Sequence, residues 1–361
     1  MTTTRSDDRW VRRIVRRLRT DRRPAAAVDA DALLVLRYRN LGTPDALTGG
    51  MGYTPNVAEF RRQIDWLRRH FRVIDLREGV RRLGAGRLGG VRVAITFDNA
   101  LRNVGRLAVP ILAAGGIPAT VFAATRFATG EEVDWQAQAA FVCRRGGAGR
   151  LREALAANVT DRRAADQLSW LTLSKWLSRF FSTDEVLPTV RDVFARCWGA
   201  RRMPRITMDV RRLKRLPRGI SIGSHTGGRY PLAALAAAEL HHELIVEHER
   251  LASLLGRPLR CLAYPMGRYG EHFDERALAL VRGCLDVADF AADGRVNVAL
   301  NSEHALHRLE LGPGGPAEWA GRVATAIARE RRLREAVAAT AGADARGFAD
   351  AAGPLLLETP A

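Results

Sequence analysis

The chain has 361 residues, 47% apolar and 27% charged, which is ordinary for a soluble globular protein and gives enough length for one large α/β domain or two smaller ones. The net charge of +18 suggests a polyanion partner, yet Lys175 and Lys214 are the only lysines, so a coding bias toward arginine and alanine explains the charge and nucleic acid is not the expected partner. No run of about 20 apolar residues offers a transmembrane segment and no signal-peptide core follows the first arginines, so a cytoplasmic location is the default expectation.

Residues 1–28 read as a basic arm whose apolar stripe (Trp10, Val11, Ile14, Val15, Leu18) suits packing on its own domain or peripheral contact with an anionic membrane. Leu33–Tyr38 is the first strand, followed by a Gly- and Pro-containing loop to Gly52. Thr54 as N-cap and Pro55 at the first helical position should open a helix carrying Val57, Phe60, Ile64 and Leu67 inward. Strand Arg72–Leu76 and a short helix near Glu78–Leu83 come next. The organising stretch is Arg92–Phe122, where Val93, Ile95 and Phe97 alternate with Ala94, Thr96 and Asp98, leaving Asp98 at a strand's C-terminal tip. A helix with Leu107, Ile111 and Leu112 should stop at Gly115-Gly116 and lead into strand Ala119–Ala123.

Residues 130–205 turn Trp-, Leu- and Arg-rich, including Leu168–Phe181, and read as a helical insertion. Strand and helix then alternate again: strand Ile220–Gly223, helix Leu235–Leu255, strand Leu259–Tyr264, helix Glu275–Arg282, strand Val287–Ala291, and a short strand near Leu306–Leu311. Helix Ala317–Ala338 precedes an Ala/Gly tail, so the chain divides into the arm 1–28, a body 29–312 with its insertion, and the helix and flexible tail 313–361. This alternation predicts a parallel sheet in an incomplete or distorted β/α barrel. Arg39, Asp98, Asn99, His225 and the Tyr264-Pro265 corner each follow a strand and should gather at the C-terminal rim. Cys143, Cys197, Cys261 and Cys284 lack CxxC spacing and are expected to be free thiols.

Three segments resemble the polysaccharide deacetylases with their NodB-homology domain: ITFDNALRNVGRLAVPILAAGGIPATVF, ISIGSHTGGRYPLAAL and CLAYPMGRYGE. With LLVLRYRN and the helix after Pro55, the likeness runs over about residues 33–310 in the family's order. It implies a barrel of that type and metal-assisted removal of acetyl groups from sugars, with an acetylated glycan or sugar precursor as partner. It also implies that Asp98 matches the general base and that the Met266 backbone after Tyr264-Pro265 lies by the oxyanion. The chain departs from the family at the metal: Asn99 stands where the metal-binding Asp belongs and Arg229 where the second His belongs, leaving His225 alone. A neutral amide is a poor ligand and a guanidinium repels a cation, so neither the family's zinc nor another metal cofactor is expected.

The replaced set keeps a net charge of about +1, which leads to the expectation that the Arg229 guanidinium fills the metal position and donates to Asp98 and Asn99. The function so implied is a non-hydrolytic homologue acting in carbohydrate metabolism; the alternatives are an active N- or O-deacetylase using other ligands, and a basic nucleic-acid or membrane-surface module. Among other signals, HHELIVEH at His241–His248 lacks the geometry of a zinc helix and reads as a solvated face. His70, His272 and His304 read as surface residues. His307 falls near the family's late general-acid histidine, and the tryptophans of the insertion read as packing groups.

Overall fold

The computed structural model describes residues 31–45, 47–49, 52–158, 181–199, 204–298 and 304–340. The basic arm, most of the Leu168–Phe181 run and the terminal tail lie outside the described residues. Among the described residues, seven strands form one all-parallel sheet: β1 (Ala32–Tyr38), β2 (Arg72–Val73), β3 (Val91–Phe97), β4 (Ala119–Ala123), β5 (Ile220–Ser224), β6 (Cys261–Ala263) and β7 (Ala288–Phe290). The order is β1-β3-β4-β5-β6-β7, with β2 pairing the first half of β3. The sheet curls, and the segment after β7 spans the seam. Leu306 bridges to Phe290 of β7 and Leu309 to Leu36 of β1. The strand expected over Leu306–Leu311 is reduced to these two bridges, since a segment shared between two strand edges satisfies each with only a pair of hydrogen bonds: Ala291 and Leu306 N–H to one side, Arg37 and Leu309 N–H to the other.

The sequence sorts into two layers by the period-2 alternation of strands. Leu34 and Leu36 of β1 and Val93, Ile95 and Phe97 of β3 face the surrounding helices, whereas Leu33, Val35, Ala94, Phe122, Ala263 and Phe290 share the inner cluster. The interior is narrow, so Phe122 and Phe290, with ring centroids 6.0 Å apart, fill it only because their neighbours are small. At Gly223 a Cβ would stand 2.5 Å from the Phe122 ring and 2.8 Å from the Cys261 carbonyl oxygen.

The helices are α1 (Val57–His70), α2 (Leu76–Gly84), α3 (Val109–Ala114, entered through a π turn Val104–Ala108) and α4 (Thr125–Thr129), then α5 (Trp135–Val142), α6 (Ala148–Asn158) and α7 (Val186–Trp198) of the insertion. After these come α8 (Val210–Lys214), α9 (Ala237–His241) and α10 (Glu247–Leu255) joined by a π turn, α11 (Glu275–Cys284) and α12 (Pro316–Thr340). Asn56, not Thr54, caps α1, its side chain accepting the Glu59 N–H at 2.9 Å. Asp75 caps α2 in the same way, which ends the preceding strand at Val73 rather than Leu76. The insertion packs by its aromatics: Trp135 on Phe181 at 5.0 Å, and Trp198 on Phe141 and Phe194 at 5.0 and 5.5 Å. All four cysteines are free, and no helix among the described residues is long and apolar enough to cross a membrane.

Candidate active site

The sheet's hydrogen-bond ladders run one residue past the strand ends and hold the first rim residue of each. Asp98 N–H donates to Tyr38 O at 2.8 Å, His225 N–H to Ala123 O at 2.8 Å and Tyr264 N–H to Phe290 O at 3.0 Å. Beyond these points the backbone turns sharply. Asn99, Ala100, Thr226, Arg229 and Met266 all have positive φ, a conformation that is uncommon for residues with a Cβ and concentrates at functional loops.

Asp98 is buried, and its partner is a residue the sequence did not single out. Arg308, wholly buried in the segment that spans the seam, donates through Nη1 to Asp98 Oδ1 at 2.5 Å and through Nη2 to Oδ2 at 3.4 Å. Its Nε donates to Ala291 O at 2.8 Å, and the guanidinium lies 5.3 Å from the Phe122 ring centroid. Burial alone would raise the Asp98 pKa, but Arg308, then His225 and Arg37, outweigh it and hold the carboxyl well below the usual carboxylate range. A carboxylate so stabilised is a weak base. Arg308 itself is drawn down by burial and up by Asp98.

The expectation for Arg229 is overturned. Its guanidinium turns away from Asp98 and donates to Asp134, the N-cap of α5, and to Gln136 Oε1 at 2.9 Å. The reason lies in the insertion, which brings a fully buried carboxylate to the loop after β5, and a buried carboxylate claims the nearest guanidinium. Asp134 serves both ends at once, since its Oδ1 accepts the Gln136 N–H at 3.0 Å. Thus an arginine does hold Asp98, but it arrives from the far end of the chain.

His225 is buried, with Nδ1 2.7 Å from Ala263 O. Burial pushes its pKa down to about 3 against the pull of Asp98, so the ring is neutral. Arg39 leans toward Glu310, 3.6 Å away, and Arg37 pairs with the same carboxylate. Crowding by Arg37, then burial, lowers the Arg39 pKa to about 10. Tyr264 is wholly buried with its ring stacked on Phe273 at 4.0 Å, and the turn after it is tight, Gly267 N–H donating to Pro265 O at 2.6 Å. Met266 is half-buried. Asp98, His225, Arg39 and Arg229 therefore share one electrostatic neighbourhood, while Tyr264 packs behind it.

The loop from Thr226 to Arg229 is pinned from below by residues of the HHELIVEH run, correcting its reading as a solvated face. His241 and His242 are exposed, but Glu243, Glu247 and His248 are buried. Glu243 Oε2 accepts the N–H groups of Gly227 and Gly228 at 3.1 and 2.9 Å, and Glu243 and Glu247 both pair with Arg126. His70 and His272 are also buried rather than on the surface. His304 pairs with Asp289, and His307 Nδ1 lies 2.6 Å from Asp293 Oδ2.

These donors do not suit a divalent cation. One imidazole remains with a single ring nitrogen to offer, both Asp98 oxygens receive Arg308, and among the described residues no three His, Cys, Asp or Glu side chains converge as a metal site.

Among solved structures, the deacetylase PplD of Streptococcus pyogenes, determined with acetate, is 15% identical over 80% of this chain and 96% of its own, with a TM-score of 0.53. IcaB from Ammonifex degensii is 19% identical over 82% of this chain and 96% of its own, with a TM-score of 0.49. A polysaccharide deacetylase from Bacillus cereus is 13% identical over 81% of this chain and 69% of its own, with a TM-score of 0.48. No family sequence model and no curated protein sequence matches. The chain has the fold of a polysaccharide deacetylase, a partial β/α barrel with helices around a curled parallel sheet.

Proposed function

We propose that this protein is a non-hydrolytic relative of the polysaccharide deacetylases, which binds an acetylated glycan over the barrel rim without cleaving it. The observation that carries the reading is the buried Arg308–Asp98 pair: the carboxylate that would serve as general base is neutralised by a fixed side-chain cation. A guanidinium stabilises negative charge by hydrogen bonding, but it does not turn a bound water into hydroxide near neutral pH, so water activation has no agent here.

The test compares the parent with a variant in which ligands are restored. Arg229→His alone would strand the buried Asp134 carboxylate, so the variant is Asn99→Asp with Arg229→His and Asp134→Asn, the last retaining an N-cap oxygen. Metal content and acetate release from an acetylated chito-oligosaccharide and from a simple acetyl ester are measured for both. The parent is expected to carry no stoichiometric metal and release no acetate above buffer, while the variant gains metal. A parent that already holds one metal per chain and deacetylates would overturn the reading in favour of an active deacetylase.

A further inference from the structure

Away from the barrel rim's buried charges, the protein carries a groove of about 630 Å³ between the loop after β3, the start of α3 and the segment 204–217. Its floor is aliphatic, made by Leu101, Val109, Ile206 and Met208. Its wall carries Arg102, Arg106, Arg212 and Arg215, all exposed, and among the described residues none of these four is paired with a carboxylate. Unpaired arginines are not peculiar to the groove: Arg81 and Arg82 share Glu78, but Arg61, Arg68 and Arg218 are exposed without a carboxylate partner among the described residues. What distinguishes these four is that they line one concave surface together over an aliphatic floor. The one carboxylate in the groove, Asp45, is oriented by its own turn, its Oδ1 accepting from Leu47 N–H, Thr48 N–H and Thr48 Oγ1 at 2.8 to 3.0 Å, so the four arginines outnumber it.

The groove is also tied to the candidate site. Arg102 N–H donates to Ile206 O and Met208 N–H to Ala100 O, both at 2.8 Å, so the segment forming the floor is strapped to the loop that carries Asn99. A fifth arginine, Arg205, sets the strap by donating to Phe127 O at 2.9 Å.

We infer that this groove binds an acidic glycan, the arginines holding its carboxylate or phosphodiester oxyanions while the aliphatic floor takes the apolar faces of its sugar or polyol units. This rests on the glycan reading above and names its substrate class. Guanidinium forks match both oxyanions, and the volume is that of an oligomer of a few units. Single-stranded nucleic acid is disfavoured because no aromatic side chain lines the groove for base stacking.

Binding is measured by calorimetry on the full chain with four probes: an oligogalacturonate, a glycerol-phosphate oligomer, a neutral acetylated chito-oligosaccharide and a DNA duplex. The expected result is that at least one acidic oligomer binds, loses affinity at least tenfold between low and high salt, and loses at least tenfold again in Arg212→Glu/Arg215→Glu. Carboxylate and phosphodiester probes tell which oxyanion is read. Acidic oligomers that fail to bind, or bind the charge-reversed variant equally, overturn the groove. If the neutral oligosaccharide then still binds, the glycan reading survives without it; if the duplex binds tightest and charge reversal abolishes that, the groove is a nucleic-acid site and the inference falls together with the glycan reading.

Discussion

The barrel rim and the groove beside it use the same side chain in opposite ways. At the rim, Arg308, Arg229 and Arg126 are enclosed, and each has been supplied with at least one carboxylate: Asp98, Asp134, and Glu243 with Glu247. In the groove, Arg102, Arg106, Arg212 and Arg215 are exposed, with no carboxylate partner among the described residues. Desolvation explains the difference. A buried guanidinium without a counter-charge costs several kcal/mol, whereas an exposed one is already solvated and gains only about 0 to 1 kcal/mol from a partner. Buried arginines here are therefore committed to structure, and only the exposed ones are free to recognise a ligand.

The contrast is most directly broken at Arg308. Arg308→Met should leave Asp98 buried and uncompensated and lower unfolding free energy by about 3–5 kcal/mol in urea titrations. Adding Asp98→Asn should return a large part of that loss; if the double variant is as unstable as the single one, the pair is not what holds this end of the barrel. Acid sharpens the comparison next. His225, His248 and His272 are all pushed down by burial, to about 3, 4 and 4. They stay neutral in the fold but take protons in the unfolded chain below its ordinary 6.5. Their contribution is complete above pH 6.5 and drains away as pH falls toward the folded values, with Asp98 following the same sign at lower pH. Between pH 7 and 5.5 the loss should be roughly 3–4 kcal/mol, about 1.2 for each histidine, read from urea midpoints, and a flat profile would contradict it. The smallest effect belongs to the groove: Arg212→Glu/Arg215→Glu should shift unfolding free energy by no more than about 0.5 kcal/mol, so that any loss of binding is a loss of recognition.

Much of the architecture was readable along the chain. The strand positions of Leu33–Tyr38, Ala119–Ala123 and Ile220–Gly223 were legible as short apolar runs and that of β3 as an apolar alternation, and the rim placement of Asp98 and His225 followed from where β3 and β5 stop. Errors came where local signals compete. Thr54 and Asn56 are both acceptable caps, and only the path of the chain selects Asn56. The HHELIVEH run looks solvated because its charges are dense, yet Glu243 and Glu247 are buried by pairing with Arg126, more than 110 positions away. A buried, paired acid and an exposed one are written with the same letter.

Sequence by itself determined that a carboxylate ends β3 and that an imidazole ends β5. Those are properties of single residues and of period-2 strands, which need only local context. Which arginine meets Asp98 was decided by tertiary structure alone. Arg308 reaches it because the seam between β7 and β1 is spanned by residues 306–309, and Arg229 is diverted because the insertion carries Asp134 to it. Pairing of buried charges is set by which groups are shut away from water together, and that enclosure exists only once the barrel has curled.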